Sequence, residues 1–373
     1  MSLTIGVDIG GTKVAGGVVD SDGRILEKLK RPTPSASPVR TAQVIVEVVA
    51  ELRSRHQVEA VGLGAAGFVD EARSSVMFSP NLAWRDEPVR KQIADLVGLP
   101  VVVENDANAS AWAELKFGAA RGQQHVMLIS VGTGIGAGLV LGGELYRGRW
   151  GMAGEPGHYR VVPDGRLCGC GNRGCWEQYA SGSSLEYEAR DFALRTPGGA
   201  VRLLQLGGGS LSGIGGQQIT QAAREGDPGA LRCFDIVGGW LGQGLADLAA
   251  ILDPGCFVIG GGVSEAGELL LAPARAAFEK GLTGGHHRPQ AEIKRAALGA
   301  DSGLVGAADL ARGRLSAGQG GSHTTAPSSG PESRGGRSPI RTTSVAKPPT
   351  NAATAQNAAQ PGTDQPSMMA RNR

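Results

Sequence analysis

Apolar residues follow two different spacings along residues 1–315, and segments of the two kinds alternate. Short apolar runs indicate buried strands, whereas apolar residues three or four apart indicate helices with one buried face. The predicted strands are Thr4–Asp8, Val14–Val19, Val58–Gly64, Val101–Glu104, Val126–Val131, Ile135–Leu141, Cys256–Ile259 and Ala291–Ala296. The predicted helices are Pro38–Leu52, Pro88–Val97, Asp106–Phe117, Trp176–Leu194, Gln217–Glu225, Ala230–Leu252, Glu265–Glu279 and Ser302–Arg312, with Gly313 as the stop of the last one. This alternation predicts an α/β fold.

Two of the predicted strand pairs bracket similar turns, Gly10-Gly11-Thr12-Lys13 and Gly132-Thr133-Gly134. We interpret the similarity of these two strand–turn–strand segments as an internal duplication. Glycines let successive backbone N–H groups approach an anion, so the turns are candidates for binding phosphate, and Asp8 is a candidate for holding hydrated Mg²⁺. Neither turn fits a Walker A loop or a Rossmann fingerprint, which needs a following helix. An ordinary glycine-rich hairpin is the alternative for the first turn.

The composition changes after Leu315, where small and polar residues dominate and apolar periodicity ends. We expect residues 316–373 to form a disordered tail, because such a segment buries too little apolar surface to offset its ordering entropy. The whole chain carries a net charge of +2, but the tail holds six basic and two acidic residues, which leaves −2 on residues 1–315. Because residues 1–315 carry no excess of positive charge, the sequence predicts no nucleic-acid partner.

The first residues show no secretory signal, and no apolar run is long enough for a membrane helix. We therefore expect a cytoplasmic protein without a membrane partner.

One histidine and three cysteines fall within eighteen residues, as His158, Cys168, Cys170 and Cys175. Zn²⁺ prefers four nitrogen or sulfur ligands in a tetrahedron, and a set with no ligand missing is structural. A disulfide or unpaired thiols are the alternatives, although a cytosolic setting disfavours a disulfide. His158 as a general base is a further alternative, but the cysteines need it as the fourth ligand.

Asp106 follows a predicted strand and begins a predicted helix, beside Asn105. Ligands of open α/β sheets bind where strands end, yet most aspartates at helix starts are caps. A second polar cluster, Glu155, His158 and Glu177, favours a site. Together these side chains suit a polyol.

These motifs resemble those of a known family. Thr4–Lys13 resembles the first phosphate motif of the sugar kinase, actin and heat-shock ATPase superfamily. Glu104–Asn108, Gly132–Gly136 and the segment from Gly154 to Glu177 are similar to the ROK family of repressors and sugar kinases, and within it to bacterial ATP-dependent glucokinases. The resemblance covers residues 1 to about 312. It implies a two-domain ribonuclease-H-like fold of the actin/hexokinase type with a zinc knuckle.

The resemblance also implies roles for individual residues. Asp106 would be the general base that accepts the proton of the sugar 6-hydroxyl. The sugar would be held by Gly67, Asn81, Asn105, Asp106, Glu155, His158 and Glu177. MgATP would be held by Asp8, Gly10, Gly11, Thr12, Lys13, Gly132, Thr133, Gly134, Gly260, Gly261 and Gly262. Zn²⁺ would be held by His158, Cys168, Cys170 and Cys175. Pro156 departs from the family pattern, in which this position is usually apolar, and it bears on how Glu155 and His158 are placed.

The expected domains are residues 1–119 completed by a C-terminal helix at 299–315, and residues 120–298 with the zinc site. The expected function is the transfer of the γ-phosphoryl group of MgATP to D-glucose, within glycolysis, by a homodimer or homotetramer. Another hexose, an N-acetylhexosamine or polyphosphate as donor are alternatives. A sugar-responsive repressor is disfavoured, because no helix-turn-helix precedes the first phosphate motif.

Overall fold

The computed structural model describes residues 2–319. The strands in this part of the chain are β1 Thr4–Ile9, β2 Lys13–Val19, β3 Ile25–Pro32, β4 Ala60–Ala65, β5 Phe68–Val69, β6 Val76–Phe78, β7 Arg85–Glu87, β8 Val101–Asn105, β9 Val126–Val131, β10 Ile135–Leu141, β11 Glu144–Leu145, β12 Cys256–Gly260 and β13 Glu292–Arg295. The helices are α1 Pro38–Arg53, α2 Val89–Val97, α3 Asp106–Lys116, α4 Glu177–Ala180, α5 Gly182–Arg195, α6 Val201–Leu206, α7 Gly216–Arg224, α8 Pro228–Leu252, α9 Glu268–Gly281 and α10 Ser302–Gln319. The α/β prediction is confirmed.

Two five-stranded sheets have the same plan. Their strand orders are β3-β2-β1-β4-β8 and β11-β10-β9-β12-β13. In each sheet an antiparallel hairpin, β1–β2 or β9–β10, is extended by two parallel strands. The repeated plan confirms the internal duplication that the two glycine turns indicated.

Each sheet has its own hydrophobic core. The first packs Ile5, Ile9 and Leu63 against α1 and α2, and the second packs Ile129 and Phe257 against α5, α8 and α9. Helix α3 lies between the sheets, against α10 on one side and against β9 and β10 on the other. The described residues form one compact unit.

Glycines allow α10 to pack directly on the first sheet. A Cβ atom at Gly6 would lie 1.9 Å from the carbonyl oxygen of Leu304, and one at Gly62 would lie 1.8 Å from that of Ala307. Any side chain at these two positions would push the helix off the sheet. The close contact holds α10 to the first sheet although it follows the second along the chain.

Several predicted helix bounds are wrong. Helix Trp176–Leu194 is two helices, because Ser181 is extended and its side chain caps α5. The predicted helix Glu265–Glu279 begins at Glu268, after a 3₁₀ turn and Gly267 at φ +63°. Helix α10 continues through Gly313 to Gln319, so the expected tail does not begin at residue 316. The rest of that tail, residues 320–373, lies outside the described residues.

No helix in the described part is both long and apolar enough to cross a membrane.

Candidate active site and zinc cluster

Asp106 is the first residue of α3, but Asn105 caps the helix. The Asn105 side-chain oxygen accepts a hydrogen bond from the Asn108 N–H at 3.0 Å. The Asp106 Oδ1 atom accepts from the Ala107 N–H at 2.9 Å and from the Asn105 Nδ2 atom at 3.2 Å. Because a neighbouring residue serves as the cap, the capping alternative does not account for Asp106.

Asp106 lies in an environment that disfavours its charge. Burial raises the pKa of the Asp106 carboxyl to about 7, and the nearby negative charges of Asp8 and, more weakly, Glu155 act in the same direction. Hydrogen bonds from the backbone to the carboxylate oppose this rise in pKa only in part. A carboxyl with a pKa near neutrality is well suited to accept a proton from a hydroxyl.

Of the expected sugar residues, Asn105 and Gly67 lie together beside Asp106, and Asn81 lies at the first glycine turn. Asn105 Nδ2 donates to the carbonyl oxygen of Gly67 at 3.1 Å. Gly67 has φ +144°, and a Cβ atom there would lie 2.3 Å from the Phe78 carbonyl oxygen, so this position requires glycine. Asn81 lies against the first glycine turn, since a Cβ atom at Gly11 would lie 2.8 Å from the Asn81 Cβ atom.

The first glycine turn is a tight hairpin next to Asp8. The Gly10 N–H donates to the Lys13 carbonyl at 3.0 Å, and Thr33 Oγ1 donates to the Gly10 carbonyl at 2.8 Å. Burial raises the pKa of Asp8, against the opposing charges of Lys13 and Lys28. A partly buried carboxylate near two lysines fits a site for Mg²⁺ and phosphate oxygens.

The second glycine turn opens into a large cavity. The Gly182 N–H donates to the Gly132 carbonyl at 2.8 Å, which joins the turn to the start of α5. The cavity, about 1080 Å³, is lined by Gly132, Thr133 and Gly262 from the predicted set. Gly261, at φ +79°, brings its backbone against Val131. The predicted second phosphate turn and the predicted adenosine segment therefore meet at one cavity.

The cavity has further polar walls that the sequence did not indicate. Helix α7 contributes Gln217, Thr220 and Arg224, and α5 contributes Ser183 and Glu186. Helix α7 was predicted from its apolar spacing, but nothing in its sequence connects it to a phosphate turn in another part of the chain.

Glu155 precedes a 3₁₀ turn, Pro156–His158, and His158 is the last residue of that turn. The His158 N–H donates to the Glu155 carbonyl at 3.2 Å. Pro156 occupies the first position of this turn, where its missing N–H is no loss. Burial raises the pKa of Glu155. Pro156 departs from the family pattern, but it fits the 3₁₀ turn that positions the side chains of Glu155 and His158.

The four predicted zinc ligands form one cluster. Their ligand atoms all lie within 4.8 Å of one another. The Cys168 Sγ and His158 Nδ1 atoms are 3.6 Å apart, as are the Cys170 and Cys175 Sγ atoms. Zn–S and Zn–N bonds of about 2.3 and 2.0 Å in a tetrahedron place ligand atoms roughly 3.5–3.8 Å apart. All five cysteines are free, so the disulfide alternative is wrong, and the donor set fits Zn²⁺.

Glu177 connects the zinc cluster with the second glycine turn. Its Oε1 atom accepts from the Cys168 thiol at 2.9 Å, and its Oε2 atom accepts from the Ile135 N–H at 3.3 Å. A Cβ atom at Gly134 would lie 2.5 Å from Oε2. Glu177 therefore lies between the zinc cluster and the turn that begins β10.

Glu104 carries contacts that sequence reasoning missed. It is buried, and its Oε2 atom lies 2.9 Å from Arg73 Nε and 3.0 Å from Arg147 Nε. Its Oε1 atom accepts from the Asn105 N–H and from Asn108 Nδ2. Arg147 follows β11 of the second sheet, more than forty residues from Glu104, so no local pattern could reveal this pair.

The model of the ROK family matches residues 4–314. The chain belongs to the ROK family. A glucokinase of Streptomyces coelicolor is 52% identical over 312 residues, which cover 84% of this chain and 98% of that protein. A glucokinase of Thermotoga maritima is 36% identical over 313 residues, with 83% and 98% covered.

A solved ROK structure matches as well. The crystal structure of a ROK family glucokinase from Streptomyces griseus in complex with glucose and AMPPNP is 54% identical, with a TM-score of 0.78. The match covers 84% of this chain and 100% of that chain. The two-domain ribonuclease-H-like fold class expected from the motifs is therefore confirmed as that of ROK sugar kinases.

Proposed function

We propose that this chain is a glucokinase, which transfers the γ-phosphoryl group of MgATP to the 6-hydroxyl of D-glucose. The observation that carries the proposal is the 52% identity to a Streptomyces glucokinase over 98% of that protein's length. The geometry agrees, because the partly buried carboxylate of Asp106, two glycine turns and a large cavity occur in one molecule.

In the proposed reaction Asp106 accepts the proton of the sugar 6-hydroxyl. The O6 atom forms a bond to the γ-phosphorus while the bond from that phosphorus to the β–γ bridging oxygen breaks, and ADP leaves. A positioned base contributes typically 10²–10⁴ in rate. The pKa of about 7 leaves much of Asp106 deprotonated at neutral pH and still basic enough to accept the proton.

We propose that the sugar is held by the polar residues around Asp106. Asn81, Asn105 and the Gly67 backbone come from the first sheet and its connections, and Glu155, His158 and Glu177 from the second. The His158 Nδ1 atom faces Cys168 in the zinc cluster, which leaves Nε2 as the ring nitrogen for a hydroxyl. Zinc, once bound, holds this histidine and its segment in place.

We propose that the nucleotide lies between the two glycine turns and the cavity. The phosphates contact Gly10–Lys13 and Gly132–Gly134, and the adenosine occupies the cavity next to Gly260–Gly262. Asp8 would hold Mg²⁺, which neutralises phosphate charge as it develops. Lys13 adds a positive charge on the same side.

We propose two domains that correspond to the two sheets: residues 1–119 with 299–315, and residues 120–298. Their separate cores support this division. We also propose that the protein acts in the cytoplasm as a homodimer or homotetramer, in line with its family resemblance and its free cysteines.

A coupled phosphorylation assay tests the function. The purified protein is supplied with glucose, mannose, fructose, N-acetylglucosamine or N-acetylmannosamine, and with ATP or polyphosphate. We expect the highest kcat/KM for glucose with ATP. A higher kcat/KM for an N-acetylhexosamine would move the assignment to another sugar, and no phosphorylation of any sugar would reject the kinase.

A further inference from the structure

The chain passes between the two five-stranded sheets only twice within the described residues. The first crossing leads from α3 to β9, and the second leads from β13 to α10. Any change in the relative orientation of the sheets must be absorbed at these two crossings, because hinges are the few terminal or loop residues that connect moving bodies.

One buried carboxylate binds both crossings. Glu114 of α3 has no exposed surface. Its Oε2 atom accepts from the Ala119 N–H at 2.8 Å in the first crossing and from the Ala297 N–H at 3.1 Å in the second. Its Oε1 atom accepts from the Leu298 N–H at 2.8 Å. Segments about 180 residues apart in sequence thus depend on one side chain.

The position of Glu114 connects the crossings to the proposed base. Asp106 begins α3, and Glu114 lies eight residues later on the same helix, or about 12 Å along its axis. The helix packs closely on both sides. A Cβ atom at Gly306 of α10 would lie 1.8 Å from the Ala109 carbonyl, and one at Gly138 of β10 would lie 2.6 Å from that of Ala107.

We propose that Glu114 is a positioning residue at the hinge between the sheets. It fixes both crossings to the helix that carries Asp106, and so sets how the second glycine turn approaches the base. Glu114 lies too far from Asp106 to touch the sugar. Glu114 instead affects what fraction of the molecules has the two sheets oriented so that substrate can bind. This inference rests on the proposed function.

Glu114→Gln is the informative variant, because it keeps the size of the side chain. An amide has one acceptor oxygen, and its NH₂ group would face at least one backbone N–H donor. At least one of the three hydrogen bonds from the crossings to residue 114 is then lost. The apparent affinity for a ligand falls in proportion to the competent fraction. We therefore expect the KM for glucose to rise about fivefold or more, while kcat at saturation stays within about twofold.

Asp309→Asn is the matched control. Asp309 of α10 accepts from Trp112 Nε1 of α3 at 2.9 Å, and so joins the same helix to the first sheet without touching a crossing. We expect its KM for glucose to match the wild type. A Glu114→Gln enzyme that keeps the wild-type KM, or that loses kcat at an unchanged KM, would show only a structural role and overturn the inference.

If the Glu114→Gln variant does not fold, hydrogen exchange of the wild-type protein tests the same inference. Saturating glucose should change exchange in residues 118–121 and 296–299 together, and by similar factors. No change in either segment, or a change in one alone, overturns the inference. A wild-type enzyme that does not phosphorylate glucose would reject the proposed function instead, which keeps the two failures distinct.

Discussion

The Asp106 carboxyl is partly buried near the negative charges of Asp8 and Glu155, and these surroundings raise its pKa to about 7. A general base must be deprotonated to act. Since the pKa is raised, most Asp106 is protonated below pH 7, and the active fraction grows as the pH rises through that value.

We therefore expect kcat/KM for glucose to rise through pH 7 and then level off. One unit below the pKa, about a tenth of the carboxyl is ionised, so pH 6 should show roughly a tenfold loss. A steady-state pH profile between pH 5 and 9 measures this. A profile that is flat from pH 5.5 to 8 would mean that Asp106 does not titrate in the free enzyme.

Glu177 gives a second prediction for a single residue. Glu177→Ala should raise the KM for glucose about tenfold or more, because an unpaired hydroxyl in a closed pocket costs roughly 1–3 kcal/mol. Zinc content is measured alongside, because Glu177 lies against the ligand Cys168, and a rise in KM at full zinc content assigns the effect to the sugar site. An unchanged KM for glucose would remove Glu177 from the sugar site.

Candidate functional residues could be predicted from the sequence where the residues that act together lie close to one another along the chain. The spacing of His158, Cys168, Cys170 and Cys175 predicted the cluster, and Asp106 lies at the predicted strand-to-helix junction, where its role as the base stays a prediction. Glu104 and Glu114 were missed, because their partners lie about 40 and 180 residues away. Such contacts depend on topology and leave no local pattern.

At the scale of elements, we expect the loop that carries the zinc cluster, residues 158–175, to depend on its metal for its order. The Cys168 N–H donates to the Asn172 carbonyl at 2.8 Å, and a Cβ atom at Gly174 would lie 1.6 Å from the Val162 carbonyl. Residues 169–173 are exposed and Leu167 is 63% exposed, so we expect metal bonds to supply much of the stability of this loop.

Cys170→Ser should lower the zinc content and the melting temperature together. Structural zinc contributes on the order of 10 kcal/mol in small domains. Cys233→Ala, in α8 outside the cluster, is the control and should keep its zinc. Metal analysis and a thermal melt measure both quantities. Absence of stoichiometric zinc from pure wild-type protein would contradict the assignment.

Helices and strands could be predicted where a single spacing of apolar residues continues through the whole element. Both hairpins, α3 and α8 follow this rule. Strand β3 was missed because its residues alternate between intermediate and exposed positions, and the β5–β6–β7 sheet because its strands have only two or three residues each. The break at Ser181 was missed because helical spacing continues across it.

At the scale of the whole molecule, two sheets of one plan supply complementary parts of the site. The first carries Asp8, its glycine turn and Asp106, and the second carries the other turn, the cavity and the zinc cluster. The central claim is that these parts converge on glucose and ATP, with Asp106 as the base.

The turnover number of Asp106→Asn on glucose and MgATP tests that claim most directly. Asn105 remains the cap of α3, so the variant should fold, with a melting temperature near that of the wild type and near-normal ATP binding. The account predicts that kcat falls at least about a hundredfold, the lower bound for loss of a general base. A folded Asp106→Asn enzyme that turns over glucose within a few-fold of the wild type would contradict it.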